Sequence, residues 1–195
     1  MLKIGITGGI GSGKSTICSF FTLIGIPVFQ ADVEAKKLLN ESAIIRGKMT
    51  LYFGSDIYLP NQTIDRKKLA QLIFNSPSLL EKVNSIVHPE VRKRFFDWCD
   101  QQKTPYIIHE AAILFETGFA QMMDYNILVT APKQQRTAWV MNRDNSSAKQ
   151  VEERMSKQWP DEKKEQLADF IIKNNNQELI IPVLLELDQK FRAHG

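Results

Sequence analysis

Nine consecutive residues near the N-terminus, Gly8-Gly9-Ile10-Gly11-Ser12-Gly13-Lys14-Ser15-Thr16, follow the pattern G-x-x-x-x-G-K-[ST]. Glycines at 8, 11 and 13 let the backbone curl so that successive N–H groups point into one concavity. In this pattern Lys14 reaches the β- and γ-phosphates of a nucleotide, and the Ser15 hydroxyl is placed to bind Mg²⁺. A Gly-rich turn could match by chance. An apolar strand pattern before the motif and a helical pattern after it favour a phosphate-binding loop.

The carboxylate of Asp32 directly follows the apolar run Val28-Phe29-Gln30-Ala31. Ligands of open α/β sheets bind beyond the carboxyl ends of the strands, so Asp32 is expected to face the crevice beside the phosphate loop. There it could orient an acceptor hydroxyl and take its proton. Asp is also a good N-cap, and it could cap a helix over residues 33–39. Position alone leaves both interpretations open.

A second polar group, His88-Pro89-Glu90-Val91-Arg92, lies in a helical part of the chain. His88 by itself could be a helix-entry cap or a satisfied core histidine. Arg66 and Arg92 could be ordinary surface residues. An anionic acceptor would need such guanidinium groups, because they bind phosphate oxygens in a planar fork.

Short apolar runs alternate with helical patterns along the chain, which is typical of a parallel sheet covered by helices. The runs are rich in Ile, Val or Phe, as expected for strands buried on both faces. They predict five strands, over residues 3–7, 27–30, 106–109, 126–130 and 169–173. The expected fold is a three-layer α/β fold with a five-stranded parallel sheet.

The long gap between the second and third predicted strands has apolar residues at helical spacing, which predicts an entirely helical segment. Helices are expected over 64–74 and 77–87. Pro89 is expected to open a further helix, because its fixed φ suits a first helical position. We therefore predict one domain, whose core (1–39 and 104–195) carries a helical insertion over about 40–103.

A basic segment over residues 133–164 contains eight Lys or Arg against five Asp or Glu, and Arg143 borders a polar loop at its middle. One interpretation is a solvated helix pair. The other is a basic segment that closes over bound phosphates.

The composition limits the class of protein. The 195 residues fit one domain, and 43% hydrophobic with 24% charged residues are ordinary globular values. A net charge of +3 does not by itself indicate a nucleic-acid binder, and three His with two Cys form no metal-ligand cluster. Two lone cysteines fit a reducing compartment, and no secretory or membrane-spanning segment is evident. We expect a cytoplasmic protein with neither nucleic-acid nor membrane partners.

A phosphate loop alone does not distinguish a kinase from a switch or a motor. The GTPase patterns D-x-x-G and N-K-x-D do not occur in the sequence, and the nearest match to a motor ATPase strand, Tyr106-Ile107-Ile108-His109-Glu110, is imperfect. A small-molecule kinase is therefore favoured. The alternatives are a kinase with another nucleotide or metabolite acceptor and a nucleotide-dependent binding or switch protein.

Motifs spread over nearly the whole chain resemble those of the dephospho-coenzyme A kinase family. They are I-G-I-T-G-G-I-G-S-G-K-S-T at 4–16, Ala31-Asp32, Ile64-Asp65-Arg66-Lys67-Lys68-Leu69, Ile86-Val87-His88-Pro89-Glu90-Val91-Arg92, Ile113-Leu114-Phe115-Glu116, Gln135-Arg136 with Arg143, and Ala168-Asp169-Phe170-Ile171-Ile172-Lys173-Asn174. The phosphate-loop motif is common to many kinases, whereas the H-P-x-V-R and L-F-E elements are more particular. The sequence departs from the family's D-A-D at Gln30 and from its P-L-L-F-E at Ala112.

The resemblance implies a P-loop kinase that phosphorylates the ribose 3′-hydroxyl of dephospho-coenzyme A with ATP and Mg²⁺, as a monomer or small homo-oligomer. It implies catalytic roles for Lys14, Asp32 and Arg143, and a mobile lid over about 135–165. The implied ATP-binding residues are Gly8, Gly9, Gly11, Ser12, Gly13, Lys14, Ser15, Thr16, Arg143 and Asn174, with Ser15 on the metal. The implied acceptor-binding residues are Asp32, Arg66, His88, Arg92 and Glu116.

Overall fold

The computed structural model describes residues 1–74, 76–175, 177 and 179–195. Its strands are β1 (Leu2–Gly8), β2 (Val28–Gln30), β3 (Tyr106–Glu110), β4 (Tyr125–Thr130) and β5 (Phe170–Lys173). Its α-helices are α1 (Lys14–Leu23), α2 (Ala31–Glu41), α3 (Ala43–Phe53), α4 (Arg66–Phe74), α5 (Pro77–Cys99), α6 (Lys133–Asp144), α7 (Ala148–Met155), α8 (Asp161–Glu165) and α9 (Ile180–His194). Short 3₁₀ helices cover Ser55–Ile57 and Phe119–Met122.

The five strands form one parallel sheet in the order β2-β3-β1-β4-β5. Each strand begins and ends within two residues of its predicted bounds, so the predicted five-stranded parallel sheet is confirmed. The central strand β1 pairs with β3 on one side and with β4 on the other. The carboxyl end of β1 therefore lies between two neighbours, and the phosphate loop starts there.

One face of the sheet packs against α1 and α9. Alternate residues of β1, Ile4 and Ile6, lie in a buried cluster with Phe21 of α1 and Phe191 of α9. Successive side chains of a strand point to opposite faces, so this cluster uses only one of the two faces. It fixes α1 against the sheet, and with it the end of the phosphate loop.

The other face of the sheet is covered by the segment that follows β3. A Cβ on Gly5 would lie 2.6 Å from Leu114 Cδ2, so this segment comes directly against β1. The His109 ring is stacked between Phe29 and Phe119, with ring centroids 5.5 and 4.4 Å away. Burial on both faces explains why the strands read as continuous apolar runs.

The chain divides into two compact units, residues 1–30 with 102–195 and residues 31–101. The sequence suggested that the insertion starts at about residue 40. The boundary lies earlier because α2 packs against α5 and α3, within the second unit.

The second unit is mostly helical, with two differences from the expectation. Residues between α3 and α4 form a 3₁₀ turn, and an antiparallel bridge joins Tyr58 and Ile64, so the segment is not entirely helical. The prediction that Pro89 opens a helix is wrong, because Pro89 lies inside the continuous helix α5. Buried residues on both sides of it, Val87 and Val91 among them, keep the helix going despite the missing N–H. Among the described residues, no helix is both long and apolar enough to cross a membrane.

Candidate active site

The turn from β1 to α1 is built around glycines with positive φ. Gly13 has a φ of 96° and is the N-cap of α1, and Gly11 has a φ of 78°. Residues that carry a side chain rarely adopt this left-handed backbone conformation, so glycine is needed at both positions. Because α1 begins at Lys14, its first N–H groups have no partner inside the helix and point out of its N-terminus. The backbone therefore has the form that an anion-binding turn requires.

Lys14 lies against the carbonyl groups of this turn. Its Nζ donates to the Gly8 oxygen at 2.8 Å and to the Gly9 oxygen at 3.4 Å, and the residue is only 8% exposed. A buried ammonium group needs such acceptors. These contacts hold the positive charge at the loop.

Asn174, which directly follows β5, reaches the same turn. Its Nδ2 donates to the Ser12 oxygen at 3.0 Å, and its backbone N–H donates to the Thr130 oxygen at 2.7 Å. The structure thus brings the predicted Asn174 to the predicted phosphate loop. Ser12 is fully buried, and its N–H donates to the Gly9 oxygen at 3.1 Å, which tightens the loop.

Ser15 and Thr16 lie in the first turn of α1 and are exposed. The backbone oxygen of Ser15 accepts from the Ser19 hydroxyl at 2.8 Å. In the described part of the chain, no group of three or more His, Cys, Asp or Glu could hold a metal ion. Mg²⁺ characteristically takes one or two protein oxygens together with phosphate oxygens and water, so an exposed hydroxyl here fits that ion.

Glu110 is a buried carboxylate at the end of β3 that the sequence analysis did not assign to the site. In the sheet it is the register partner of Ile6, two residues before the end of β1. Burial raises the pKa of the Cys18 thiol, the Glu110 charge raises it further, and Lys14 opposes this. The charges of Glu110 and Lys14 therefore both act on the Cys18 thiol of α1. The sequence does contain a signal for Glu110. It is the acidic residue that ends the apolar run Tyr106–Glu110, the imperfect match to a motor-ATPase strand.

Arg143 lies in the last turn of α6, and its guanidinium makes two hydrogen bonds to Asp144, from Nε at 2.7 Å and from Nη2 at 3.1 Å. Arg154 of α7 donates to the same carboxylate at 2.6 Å. The two arginines hold the pKa of Asp144 well below its usual range. Asp144 thereby keeps two exposed cationic groups close together.

Glu116 makes contacts with the basic segment instead of standing free. Its Oε1 accepts from the Trp159 backbone N–H at 3.0 Å and lies 3.0 Å from Nζ of Lys164, which is fully buried. Its Oε2 is buried and makes no hydrogen bond with the residues that the structure describes. In the sequence, Lys164 is recognisable only as one of the eight basic residues of the segment 133–164.

A cavity of about 770 Å³ lies in the same unit as the phosphate loop. This volume is in the range of small-molecule and cofactor sites. Its walls include the ends of β4 and β5 and parts of α6 and α8, with Thr130, Lys133, Arg136, Trp159, Lys173 and Asn175 among the lining residues.

The unit of residues 31–101 contains four of the predicted site residues. Asp32 is the second residue of α2 and is exposed, so it lies inside the first helical turn and is not the N-cap considered above. Arg66 is the exposed first residue of α4. His88 and Arg92 lie one turn apart on α5 and line a cavity of about 590 Å³.

The charges of Asp32 and Arg92 both act on the imidazole of His88. Burial lowers the pKa of His88, the neighbouring Arg92 charge lowers it further, and the Asp32 carboxylate opposes this. His88 is therefore favoured as a neutral imidazole, which can both donate and accept a hydrogen bond. The structure thus groups these three residues, with an acid, a neutral imidazole and a fixed positive charge.

Comparisons with known proteins identify the family of the chain. The family model described as Dephospho-CoA kinase matches residues 2–179. A dephospho-CoA kinase from Porphyromonas gingivalis is 40% identical over 197 residues, covering 99% of this chain and 96% of that protein. The crystal structure of TT1252 from Thermus thermophilus is 30% identical with a TM-score of 0.84, covering 98% of this chain and 96% of that one.

A dephospho-CoA kinase from Campylobacter jejuni is similar in fold. At 24% identity its TM-score is 0.70, and the match covers 98% of this chain and 97% of that one. The predicted P-loop kinase fold is confirmed by this likeness together with the strand order. Because the family model spans almost the whole sequence and the identity reaches 40% over 99% of the chain, this chain belongs to the dephospho-CoA kinase family.

Proposed function

We propose that the protein transfers the γ-phosphoryl group of ATP to the ribose 3′-hydroxyl of dephospho-coenzyme A, giving coenzyme A and ADP, the last step of coenzyme A synthesis. The observation that carries the proposal is the phosphate loop of residues 8–16, with Lys14 against it, in a chain of this family. Phosphoryl transfer depends mainly on positioning and on stabilising the charge of the phosphoryl oxygens.

On the ATP side, Lys14 and the N–H groups of the loop bind the β- and γ-phosphates. The contact between Asn174 and Ser12 supports a nucleoside beside the loop, with the adenine against the chain near Asn174. The loop residues Gly8, Gly9, Gly11, Ser12, Gly13 and Thr16 complete this set. The segment of about 135–165 acts as the lid, and Arg143, in the part of the lid between Arg136 and Gln158, reaches the transferring phosphoryl group when the lid closes.

Magnesium is proposed as the partner of ATP. Ser15 would hold it by its hydroxyl, and Glu110 would assist from the end of β3. When bound, the ion would neutralise negative charge on the β- and γ-phosphates.

On the acceptor side, Asp32 orients the 3′-hydroxyl and takes its proton, which an exposed carboxylate can do. Arg66 and Arg92 bind phosphate oxygens of the acceptor, and neutral His88 contributes a hydrogen bond. Glu116 belongs to the acceptor-binding set as well, with Lys164 and Trp159 holding its carboxylate in place through Oε1. The unit containing α2 to α5 is the acceptor-binding insertion in this proposal.

The proposal includes a cytoplasmic protein that acts as a monomer or small homo-oligomer. The main rival function is a kinase with a different nucleotide or metabolite acceptor, and the other is a slow nucleotide-hydrolysing switch. These three functions differ in which acceptor, if any, gains a phosphate.

The decisive experiment incubates the protein with Mg-ATP and a panel of acceptors, including dephospho-coenzyme A, and follows each acceptor by mass spectrometry. We expect dephospho-coenzyme A alone to gain one phosphate, with ADP formed in equal amount. The Lys14→Ala variant serves as the matched control. Phosphate gained by another acceptor, or ADP formed without any acceptor, would contradict the proposal.

A further inference from the structure

Both backbone groups of Ile10, in the middle of the phosphate loop, are held by side chains from distant parts of the chain. The Ile10 N–H donates to Oε1 of Gln158 at 2.8 Å. The Ile10 oxygen accepts from Nε of Arg136 at 3.2 Å. All three residues lie in the same compact unit.

Helix α6 packs directly against this part of the loop. A Cβ on Gly9 would lie 2.5 Å from Nη2 of Arg136, and one on Gly11 would lie 2.7 Å from Cγ2 of Val140. Arg136 is only 8% exposed, and its Nη1 lies 2.5 Å from the Asp161 carboxylate. The guanidinium group of Arg136 is therefore held by two partners, the loop and Asp161. Its planar arrangement of N–H donors allows both contacts at once.

Gln158 is also fixed at both ends. Its Nε2 donates to the Ala112 oxygen at 2.9 Å, while its Oε1 accepts from the loop. The next residue, Trp159, donates its N–H to Glu116. The stretch 158–161 thus ties the phosphate loop to the turn that follows β3.

These two contacts decide where neighbouring groups of the loop point. In a planar trans peptide the C=O and the N–H point in opposite directions. When Arg136 holds the Ile10 oxygen, the N–H of Gly11 must point away from α6. When Gln158 holds the Ile10 N–H, the Gly9 oxygen must point the other way, where it accepts from Nζ of Lys14 and from the Ser12 N–H.

We propose that Gln158 and Arg136 are positioning residues that hold the Ile10 peptides in the orientation that binds ATP phosphates, with Asp161 fixing Arg136. This rests on the proposed function only in that the loop binds ATP. A peptide turned the wrong way would present a carbonyl oxygen to the phosphates, which repel it. Such preorganisation of donors is a large contribution in sites that stabilise charge.

The test compares Gln158→Met, which keeps the side-chain length but removes both hydrogen bonds, with Gln166→Met as a control at an exposed glutamine. Arg136→Lys is the second variant, since a lysine offers one ammonium group in place of the two nitrogens that contact Ile10 and Asp161. Calorimetry with ADP and with ATP, in the absence of an acceptor, measures nucleotide affinity directly. Turnover then gives KM for ATP and for dephospho-coenzyme A, and thermal melting reports folding.

We expect Gln158→Met and Arg136→Lys each to weaken ATP binding by about tenfold, the effect of roughly one lost hydrogen bond. KM for dephospho-coenzyme A should stay within about twofold, and Gln166→Met should match the wild type. Unchanged ATP affinity in both variants, or equal rises in both KM values with a lowered Tm, would overturn the proposal. A wild type that binds ATP but does not phosphorylate dephospho-coenzyme A would contradict the proposed function and leave this test intact.

Discussion

The phosphate loop and the acceptor-side residues, Asp32, Arg66, His88 and Arg92, are held in different ways. The loop's functional groups are largely backbone N–H groups, fixed by buried neighbours such as Ser12 and Arg136. Asp32, Arg66 and Arg92 are exposed side chains on helices, and His88 is half-buried. The loop is therefore preformed by the fold, whereas the acceptor side depends on individual side chains. Substitutions should be tolerated structurally on the acceptor side more easily than around the loop.

The largest effect is expected at Lys14, the one side chain through which the preformed loop acts as a charge. Lys14→Ala should lower kcat by on the order of 10³-fold or more, because it removes a cation from the β- and γ-phosphates. Lys14→Arg should be almost as poor, since a planar guanidinium does not fit the carbonyl contacts of the tight turn. Steady-state kinetics measures both variants, with circular dichroism as the folding control. Turnover like the wild type in Lys14→Ala would show that the loop does not act through Lys14, whereas in Lys14→Arg it would show that the charge is needed and the shape of lysine is not.

Arg143 is exposed like the acceptor-side residues, but it is assigned to the ATP phosphates. Its substitution therefore tests whether the loss of activity depends on how exposed a residue is or on which substrate it contacts. We expect Arg143→Ala to lower kcat by about 10³-fold, the low end for an arginine acting on a phosphoryl transition state. KM for dephospho-coenzyme A should change little. A rise in that KM with unchanged kcat would instead make Arg143 an acceptor contact.

Asp32→Asn examines the acceptor side alone. We expect kcat to fall by at least ~10²-fold, because an amide oxygen is a much weaker proton acceptor than a carboxylate. ATP affinity and Tm should remain those of the wild type, since Asp32 is exposed and is not the N-cap of α2. Nucleotide calorimetry, melting and turnover on this one variant decide the matter. A low Tm with normal turnover per folded molecule would assign Asp32 a structural role.

The smallest effect concerns stability and involves His109, the buried histidine of the unit that contains the phosphate loop. Burial between two phenylalanine rings lowers the pKa of His109 to about 3, against an ordinary value of 6.5. Between these values the unfolded chain binds the proton and the folded chain does not. The free energy of unfolding should therefore fall as the pH falls below 6.5, by up to about 1.4 kcal/mol per pH unit from this group.

Urea unfolding of the wild type and of His109→Asn between pH 6.5 and 5 measures this contribution. The variant should show a shallower dependence on pH, whatever its absolute stability, because every other titratable residue is the same in both proteins. Parallel pH dependences would mean that His109 is protonated in the folded protein.

The strands were predictable because burial on both faces leaves a local signal in the sequence. Each is a short apolar run, and β3, fully buried in the structure, is the plainest case. The path of α5 through Pro89 was not predictable, since local propensity favours a break and only packing along the whole helix keeps it continuous. Tertiary contacts here override the local preference.

The residues of the phosphate loop could be read from spacing, but those that support it could not. The side chain of Gln158 accepts a hydrogen bond from the backbone N–H of Ile10, 148 positions earlier in the chain. No sequence periodicity predicts such a contact. Lys164 is one of eight basic residues of the segment 133–164 in the sequence, and nothing there indicates that it is fully buried beside Glu116. Side-chain contacts with distant backbone leave no local pattern, which is why the sequence assigned the chemistry but not its support.

The strand order has a consequence for how the chain acquires its structure. Leu2 of β1 pairs with Tyr106, 104 positions later, and Ile4 pairs with Tyr125. During synthesis β1 must therefore wait for more than half of the chain before either neighbour exists. Pairings of such high sequence separation form slowly, because loop-closure entropy opposes them before any contact is gained. The glycine-rich turn that follows β1 takes its final form only after residues 106–130 have left the ribosome, so the part of the sequence made first is completed among the last.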